Sequence, residues 1–241
     1  MLRILRRIKI GKVARENSKA FWSFAIGEFI LVFLGILIAL QVDNWNEERK
    51  ERKLERVLLS EMRTDLKGDL EDLEYNINFQ MGLLYSNQVV LDFLNSELPW
   101  HDTLGKHCAQ LMGAGIFDTN PAAYESLKTI GIDLIGNDSL RQNITRVYTV
   151  VYTHVKANEK MLFNFIFDEL YPALSEHLHT IIPREMAVPV NLDALRQDNS
   201  FKEDLSMSIF IYNITLRSFE RGNESIRSLI TDIEEELGLA P

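Results

Sequence analysis

Cysteine and the common catalytic motifs are scarce in this chain of 241 residues. The single cysteine, Cys108, excludes an intrachain disulfide, so cysteine usage does not indicate a redox compartment. The sequence contains no GxSxG nucleophile elbow, no Walker loop, no dinucleotide-binding glycine fingerprint and no HExxH helix. We therefore predict that the protein is not an enzyme and uses no cofactor. A hydrolase whose polar site is assembled only by folding stays an open alternative.

Histidines in metal-ligand spacing are also missing. The five histidines form only two groupings, His101 with His107-Cys108 and Glu176-His177 with His179. Neither grouping matches a recognised ligand spacing, and surface histidines explain both better. We predict no metal site.

The chain has no excess of positive charge, since its formal net charge is −9. The first 20 residues contain seven Lys/Arg and one Glu, a charge of +6, so residues 21–241 must sum to −15. Affinity for nucleic acid depends on Lys and Arg that neutralise phosphates. An acidic domain of this kind excludes nucleic acid as the expected partner.

One long apolar run is present, FWSFAIGEFILVFLGILIALQV at residues 21–42, and its only charge is Glu28. About 20 apolar residues are needed to cross a hydrocarbon core of roughly 30 Å. Trp22 and Trp45 lie near its two ends, where indole rings favour the headgroup region. A cleaved signal peptide would need a shorter run and a small-residue cleavage site. We predict an uncleaved single-pass anchor in the lipid bilayer.

The basic residues 3–19 favour a cytoplasmic N-terminus by the positive-inside tendency. Five Lys/Arg between residues 49 and 56 on the far side oppose this only in part, because seven stand before the run. We therefore expect the main domain outside the cytoplasm.

Small residues follow one side of the apolar helix, because Ser23, Gly27, Gly35 and Ala39 lie at multiples of four. Such rows let two membrane helices approach closely. We predict a homodimer with association residues Gly27, Glu28, Gly35 and Ala39. In the alternative, small residues are simply common in membrane helices and Glu28 reaches water.

The periodicity behind the anchor predicts helices throughout. From residue 43 to 98 there is no proline, and apolar residues recur at spacings of three, four and seven. We expect a break or stalk before Leu58, which gives four parts: a basic cytoplasmic N-terminus (1–20), a transmembrane helix (21–42), a juxtamembrane helix or stalk (43–57) and a helical bundle domain (58–241). The predicted fold class is all-α, with one N-terminal transmembrane helix followed by an elongated antiparallel helical bundle.

Further helix signals follow Pro99. A short helix is expected near 103–112, and a second begins at Asn120-Pro121 and ends at Gly131. Asp138 or Ser139 should cap a third helix that runs to Leu170 and stops before Pro172. Its predicted apolar stripe is Leu140, Ile144, Val147, Val151, His154, Asn158 and Phe165. Residues 175–191 break the pattern.

The last forty residues have the most regular spacing, alternating four and three from Leu205 to Leu237. Two interpretations stay open: an amphipathic helix that closes an intramolecular bundle, and an intermolecular coiled coil. Arg221-Gly222-Asn223 is a candidate interruption.

Two segments, IGEFILVFLGILIALQVDNWNEERK and AYESLKTIGIDLIGNDSLRQNI, carry a family resemblance. The first resembles the N-terminal signature of an uncharacterised bacterial family, domain-of-unknown-function family six-zero-nine-zero. The second resembles that family's pattern of an aromatic residue, Glu, a small residue and Leu, then Gly, then Ile-x-Asn and Leu. The resemblance implies a bacterial inner-membrane protein with a helical remainder, and it transfers no catalytic or binding residues.

The expected function is a non-enzymatic, membrane-anchored helical module that faces the periplasm and binds a partner protein or small ligand. The candidate signature and partner-binding residues are Trp45, Tyr124, Glu125, Leu127 and Asn137. In the structural alternative, Tyr124 and Leu127 belong to the core and Asn137 to a turn. The alternative function is a sensory input domain that signals through the anchor to a cytoplasmic partner.

Overall fold

A computed structural model describes the backbone of residues 2–182 and 184–239, with the side chains of residues 22, 26–179, 182 and 184–239. The chain divides into two compact units, Met1–Leu54 and Glu55–Pro241. The first unit holds part of one helix, and the second holds the remaining elements and a core of their own.

Helix α1 spans Leu2–Leu94 without interruption. The structure therefore contradicts a break before Leu58, whereas the other expectation, a juxtamembrane helix or stalk over residues 43–57, stays a prediction. The segment contains no proline, and glycine inside a helix costs only about 1 kcal/mol relative to alanine. Gly68 and Gly82 consequently do not end the helix.

The apolar part of α1 is exposed. Large apolar side chains from Ile26 to Val42 are about half exposed or more, and none of the 18-residue apolar window, with mean hydropathy 2.1, is buried. By length and composition this helix could cross a membrane. The feature agrees with the predicted anchor.

The second unit is predominantly helical, as predicted. After α1 the elements are α2 (Asp102–Cys108), α3 (Ala122–Ile130), a 3₁₀ turn (Ile132–Leu134), α4 (Asp138–Arg146), a π segment (Val147–Val151), α5 (Tyr152–Phe165), a second π segment (Ile166–Leu170), α6 (Tyr171–His177), β1 (Leu178–Ile182), β2 (Met186–Pro189), α7 (Leu192–Gln197) and α8 (Asn199–Leu237).

Three long helical runs form the bundle: α1 from residue 55, the run α4–α6, and α8. The pairs Arg63–Glu234 (2.6 Å) and Ser208–Asn87 (2.9 Å) place α8 antiparallel to α1. Residues 55 and 69 of α1 meet residues 136 and 152, so the α4–α6 run is parallel to α1. The helices enclose apolar clusters, which contain part of the predicted stripes.

The stripe predicted for the third helix is correct only in its first half. Leu140, Ile144 and Val147 are buried, but His154 is exposed and Asn158 only half-buried. From Tyr148, which lies within the first π segment, the buried positions continue with Tyr152, Val155, Glu159, Leu162, Ile166 and Leu170. A π turn adds one residue to the helical repeat, so every later side chain changes face.

Two helix boundaries also differ from the expectation. The α4–α6 run continues past Pro172 to His177, because proline takes the second position of α6, directly after a π segment. A missing N–H is tolerated near such a bulge. Asn137, rather than Asp138 or Ser139, caps α4 by accepting from the N–H groups of Ser139 and Leu140.

Strands β1 and β2 pair as an antiparallel hairpin, which was not predicted from the sequence. Leu178 pairs with Pro189 and Ile182 with Met186, with a bulge between. Arg184 in its turn has a φ of 66° and donates its N–H to the carbonyl of Ala109 at 3.2 Å. The hairpin covers α2, where the carbonyl oxygen of Ala187 lies 3.0 Å from the position that a Cβ atom would take at Gly105.

Helix α8 continues through Arg221-Gly222-Asn223, so the candidate interruption is wrong. Gly222 is buried, and a Cβ atom there would lie 3.2 Å from both Leu73 and Val155. Glycine thus allows α8 to approach α1 and α5 closely. The stripe from Leu205 to Leu237 faces the chain's own core, which supports the intramolecular interpretation over the coiled coil.

Candidate functional site

The predicted association residues of the anchor, Gly27, Glu28, Gly35 and Ala39, are all exposed on α1. Nothing lies within 4 Å of the positions that Cβ atoms would take at Gly27 and Gly35. The Ser23 side chain, which begins the row, lies outside the described residues. The homodimer stays a prediction.

Two of the candidate signature residues belong to the core. Leu127 is fully buried, and Tyr124 stacks on Tyr148 with ring centroids 4.3 Å apart and an interplanar angle of 1°. The Lys128 ammonium lies 5.6 Å from the Tyr124 ring centroid. Stacking and burial give these side chains a packing role.

The remaining signature residues have local roles or stay exposed. Glu125 forms an exposed ion pair with Lys128 at 3.0 Å, a pair that contributes little to stability. Asn137 caps α4 and also donates to Glu236 at 2.8 Å. Trp45 is 65% exposed on α1, in the first unit. The structure therefore does not gather the signature of the bundle into a ligand site.

A row of carboxylates on α1, Asp65, Asp69 and Asp72, holds the segment that leads into α3. We name this row the carboxylate ladder. Asp69 accepts from the Asn120 N–H at 2.7 Å and from the Tyr152 hydroxyl. Asp65 accepts from the Ala123 N–H at 3.1 Å, and Asp72 accepts from the Asp118 N–H at 3.0 Å. These carboxylates satisfy backbone donors of the loop and so hold the fold.

Burial perturbs two acids near this ladder. Desolvation raises the pKa of Asp69, although its bonds to Tyr152 and Asn120 lower it in part. Desolvation likewise raises the pKa of Glu159, although the ammonium of Lys156, 3.4 Å away, lowers it in part. The Lys156 ammonium also donates to the Phe117 carbonyl. The pKa shifts of Asp69 and Glu159 therefore result from packing around residues 117–121 and the first turn of α3.

The histidine groupings are separated into different local contacts. His101 accepts from the Thr103 N–H at 3.3 Å, whereas His107 lies 3.1 Å from the Ser86 hydroxyl. His177 bonds Asp198 at 2.7 Å, which together with the Phe201 N–H lowers the pKa of that carboxyl. Within the part of the chain that the structure describes, no cluster of three or more His, Cys, Asp or Glu is placed to hold a metal ion.

A concave feature lies between the α4–α5 run and α8, and we name it the arginine groove. Its volume is about 560 Å³. Arg146, Val150, His154 and Asn158 form one wall at successive spacings of four, and α8 supplies two adjacent rows, Ile214-Ser218-Gly222 and Arg217-Arg221-Ser225. Val151 and Glu224 complete the lining.

The guanidinium groups of this groove lack carboxylate partners. Arg146 donates to the neutral amide oxygen of Asn143 at 2.9 Å. Arg217 and Arg221 make no hydrogen bond or ion pair with any described residue. Only one carboxylate, Glu224, is among the groove residues. The arrangement offers several unused N–H donors along one concave surface.

A family model matches residues 28–182, which is more than half of the chain, and its description is family of unknown function (DUF6090). The chain belongs to family DUF6090. The match confirms the family that the two signature segments resemble. Searches of curated proteins and of solved structures returned no match.

The DUF6090 match begins at Glu28 in the anchor and ends at the last residue of β1. It includes the carboxylate ladder and the wall of the groove that carries Arg146 and His154. Helix α8, with Arg217 and Arg221, lies beyond the matched segment. One wall of the groove is thus formed by residues within the matched segment, and the other wall by residues that follow it in the chain.

Sequence reasoning missed the groove for two reasons. Arg217 and Arg221 each have a glutamate three residues later, a pattern that indicates ion pairs on a solvated helix face. His154 and Asn158 were placed in the core stripe because a π segment cannot be seen in a regular periodicity. The one signal available was their polarity, which interrupts an otherwise apolar stripe.

Proposed function

We propose that this chain is a non-enzymatic, membrane-anchored helical module of a bacterial inner membrane, which displays its bundle in the periplasm and binds a ligand in the arginine groove. The observation that carries the proposal is the contrast within the chain: the apolar surface of residues 26–42 is exposed, whereas the bundle buries its own core. A helix that exposes apolar residues on all sides is stable when lipid surrounds it.

The titratable groups of the bundle support a binding role over a catalytic one. Asp69 and Asp72 hold backbone donors of the loop before α3, and Asp198 caps α8 and bonds His177. The carboxyls of Asp69 and Asp198, whose pKa values are shifted from their ordinary value, are thus occupied by structural contacts. The basic N-terminal segment supports the cytoplasmic placement of residues 1–20.

Thiol accessibility tests the anchoring and its orientation. Single cysteines would replace Ser18 and, separately, Ser200 in a Cys108→Ser background, and cells with a permeabilised outer membrane would be treated with a membrane-impermeant thiol reagent. Cys108 is buried, and burial raises the pKa of its thiol to about 12, so its removal suppresses only a weak background. Ser200 is exposed at the start of α8.

We expect labelling at position 200 and none at position 18 until the inner membrane is lysed. Labelling at position 18 alone would reverse the orientation. Labelling at both positions in intact cells, with release of the protein by alkaline carbonate, would overturn membrane anchoring itself.

A further inference from the structure

The arginine groove is a positive site on an acidic domain. Residues 55–241 contain 29 Asp/Glu and 15 Lys/Arg, a net charge of −14. The groove residues include three arginines and one carboxylate. We propose that the groove binds a small organic phosphate, with the dianionic phosphate held by Arg217, Arg221 and Arg146. The proposal deepens the proposed function, since it names the ligand class of that binding module.

The other arginine side chains of residues 55–241 interact within the chain, which supports a ligand role for Arg217 and Arg221. Arg56 and Arg196 donate to backbone carbonyls, and the Arg184 guanidinium lies over the Phe79 ring. Arg63 pairs with Glu234, Arg141 with Asp138 and Arg227 with Glu74. Within the described residues, Arg217 and Arg221 instead form no ion pair with Glu220 or Glu224, the glutamates that follow them three residues later on α8. Two like charges one turn apart repel each other on a helix. An anion between them removes that repulsion and occupies their donors.

The geometry suits phosphate. Each guanidinium presents five N–H donors in a planar fork that matches phosphate oxygens in pairs. Arg217 and Arg221 follow one row of α8, and Arg146 lies on the opposite wall. Three cations and one carboxylate leave an excess of two positive charges, and a phosphate monoester carries about −1.5 to −2 at neutral pH.

The apolar lining and the size of the groove favour an ester over the bare ion. Val150, Val151 and Ile214 form apolar patches beside the arginines. The volume of about 560 Å³ falls within the roughly 300–1,000 Å³ typical of small-molecule sites. A compact organic group attached to the phosphate can therefore pack on these side chains while the phosphate reaches the guanidinium groups.

Isothermal titration of the purified full chain in detergent tests this site, with phenyl phosphate as the probe. We expect saturable binding, and weaker binding of inorganic phosphate because it lacks the ring. Arg221→Gln and Arg217→Gln should each weaken phenyl phosphate by about 10- to 100-fold, the loss expected for a hydrogen bond to a charged group. Glu224→Gln should strengthen it, since it removes the carboxylate of the groove.

Control variants on the same helix distinguish the loss of a contact in the groove from a change in the net charge of the protein. Arg227→Gln changes the net charge as Arg221→Gln does, but its guanidinium pairs with Glu74 outside the groove. Glu203→Gln, at an exposed position 14 residues before Arg217 on the same helix, is the corresponding control for Glu224→Gln. Equal losses in Arg221→Gln and Arg227→Gln, or absence of binding to the folded wild type, would overturn the proposal.

A second arm identifies the source of the phosphate. The chain would be placed in phosphatidylcholine nanodiscs with or without phosphatidic acid, and phenyl phosphate would be titrated into both. Competition by phosphatidic acid that Arg221→Gln abolishes supports the site with a lipid headgroup as its phosphate. Equal binding in both nanodiscs supports it with a soluble ester. Because the titration uses purified protein, its result is independent of the orientation measured by thiol labelling.

Discussion

The two parts of α1 share one helical geometry and differ in how they distribute apolar side chains. Residues 26–42 carry them on every side, and all are exposed. Residues 58–94 carry them on one stripe, which includes Leu59, Met62 and Leu66, and this stripe is buried. Both parts are helical because their residues favour helix locally. The distribution of apolar side chains around the helix indicates what surrounds it: lipid where they lie on every side, and a protein core where they form one stripe.

We expect the largest effects when an arginine replaces a leucine in each part of α1. Leu66 is fully buried and Leu34 is 48% exposed. Leu66→Arg places an unpaired charge in the core, and we expect the cooperative thermal unfolding of the bundle to disappear. Leu34→Arg should leave that transition unchanged but weaken membrane retention, by about 2.5–3.5 kcal/mol if it lies at the bilayer centre.

Circular dichroism of the full chain in detergent measures the first effect, and resistance to carbonate extraction measures the second. Loss of the cooperative unfolding transition in Leu34→Arg as well as in Leu66→Arg would contradict this difference between the two parts of α1.

Within the bundle, α3 offers the same contrast on a smaller scale. Leu127 is fully buried, whereas Ile130 on the same helix is 51% exposed. Leu127→Ala should lower the free energy of unfolding by about 2–5 kcal/mol through lost burial and a cavity. Ile130→Ala should change it by no more than about 0.5 kcal/mol. Urea unfolding of both variants checks this, and similar values would mean that Leu127 does not act through the core.

The cap of α4 predicts a smaller effect. Asn137→Ala removes the acceptor for the N–H groups of Ser139 and Leu140 and should cost about 1 kcal/mol of unfolding free energy. Asn137→Ser keeps an oxygen that can cap and should recover most of this loss. If the serine variant is as unstable as the alanine variant, the bond to Glu236 rather than the cap explains the role of Asn137.

The smallest expected effect is a change with pH in the contribution of Glu159 to the free energy of unfolding. Burial raises the pKa of Glu159 in the folded chain above its ordinary value of 4.5, so the folded state keeps this proton at a pH where the unfolded state has lost it. The contribution of Glu159 to unfolding free energy therefore falls as pH rises from 4.5 through the raised pKa. Glu159→Gln removes this slope.

We expect the stability of Glu159→Gln to gain on that of the wild type as pH rises across the window and to stay level above it. Glu220→Gln, at an exposed position of α8, provides the control. A wild-type stability that rises relative to Glu159→Gln across this window would show that the Lys156 contact, which lowers the pKa, outweighs burial.

Much of the fold could be predicted because each signal was local. The existence of α3 and its end at Gly131 followed from local signals, although the helix begins at Ala122, with Pro121 rather than Asn120 at the N-cap position. The stripe of α8 needed only regular spacing. The hairpin was missed because its strands are short and pair through a bulge.

The candidate site could not be predicted, since it depends on a change of helical phase. The π segment Val147–Val151 moves His154 out of the core row and turns it toward α8. Whether Arg217 and Arg221 form ion pairs with glutamates also depends on the rotamers of these side chains in the folded protein. Neither property follows from residue spacing along one helix.

The apolar helix, the helical fold class and membership of DUF6090 follow from composition, periodicity and two signature segments, which are properties of the amino-acid sequence alone. Three other features depend on how the helices pack: Tyr124 and Leu127 are core residues, the carboxylate ladder holds a loop, and arginines from two helices line one groove. Those roles depend on side chains far apart in sequence, whose distances are set by helix packing.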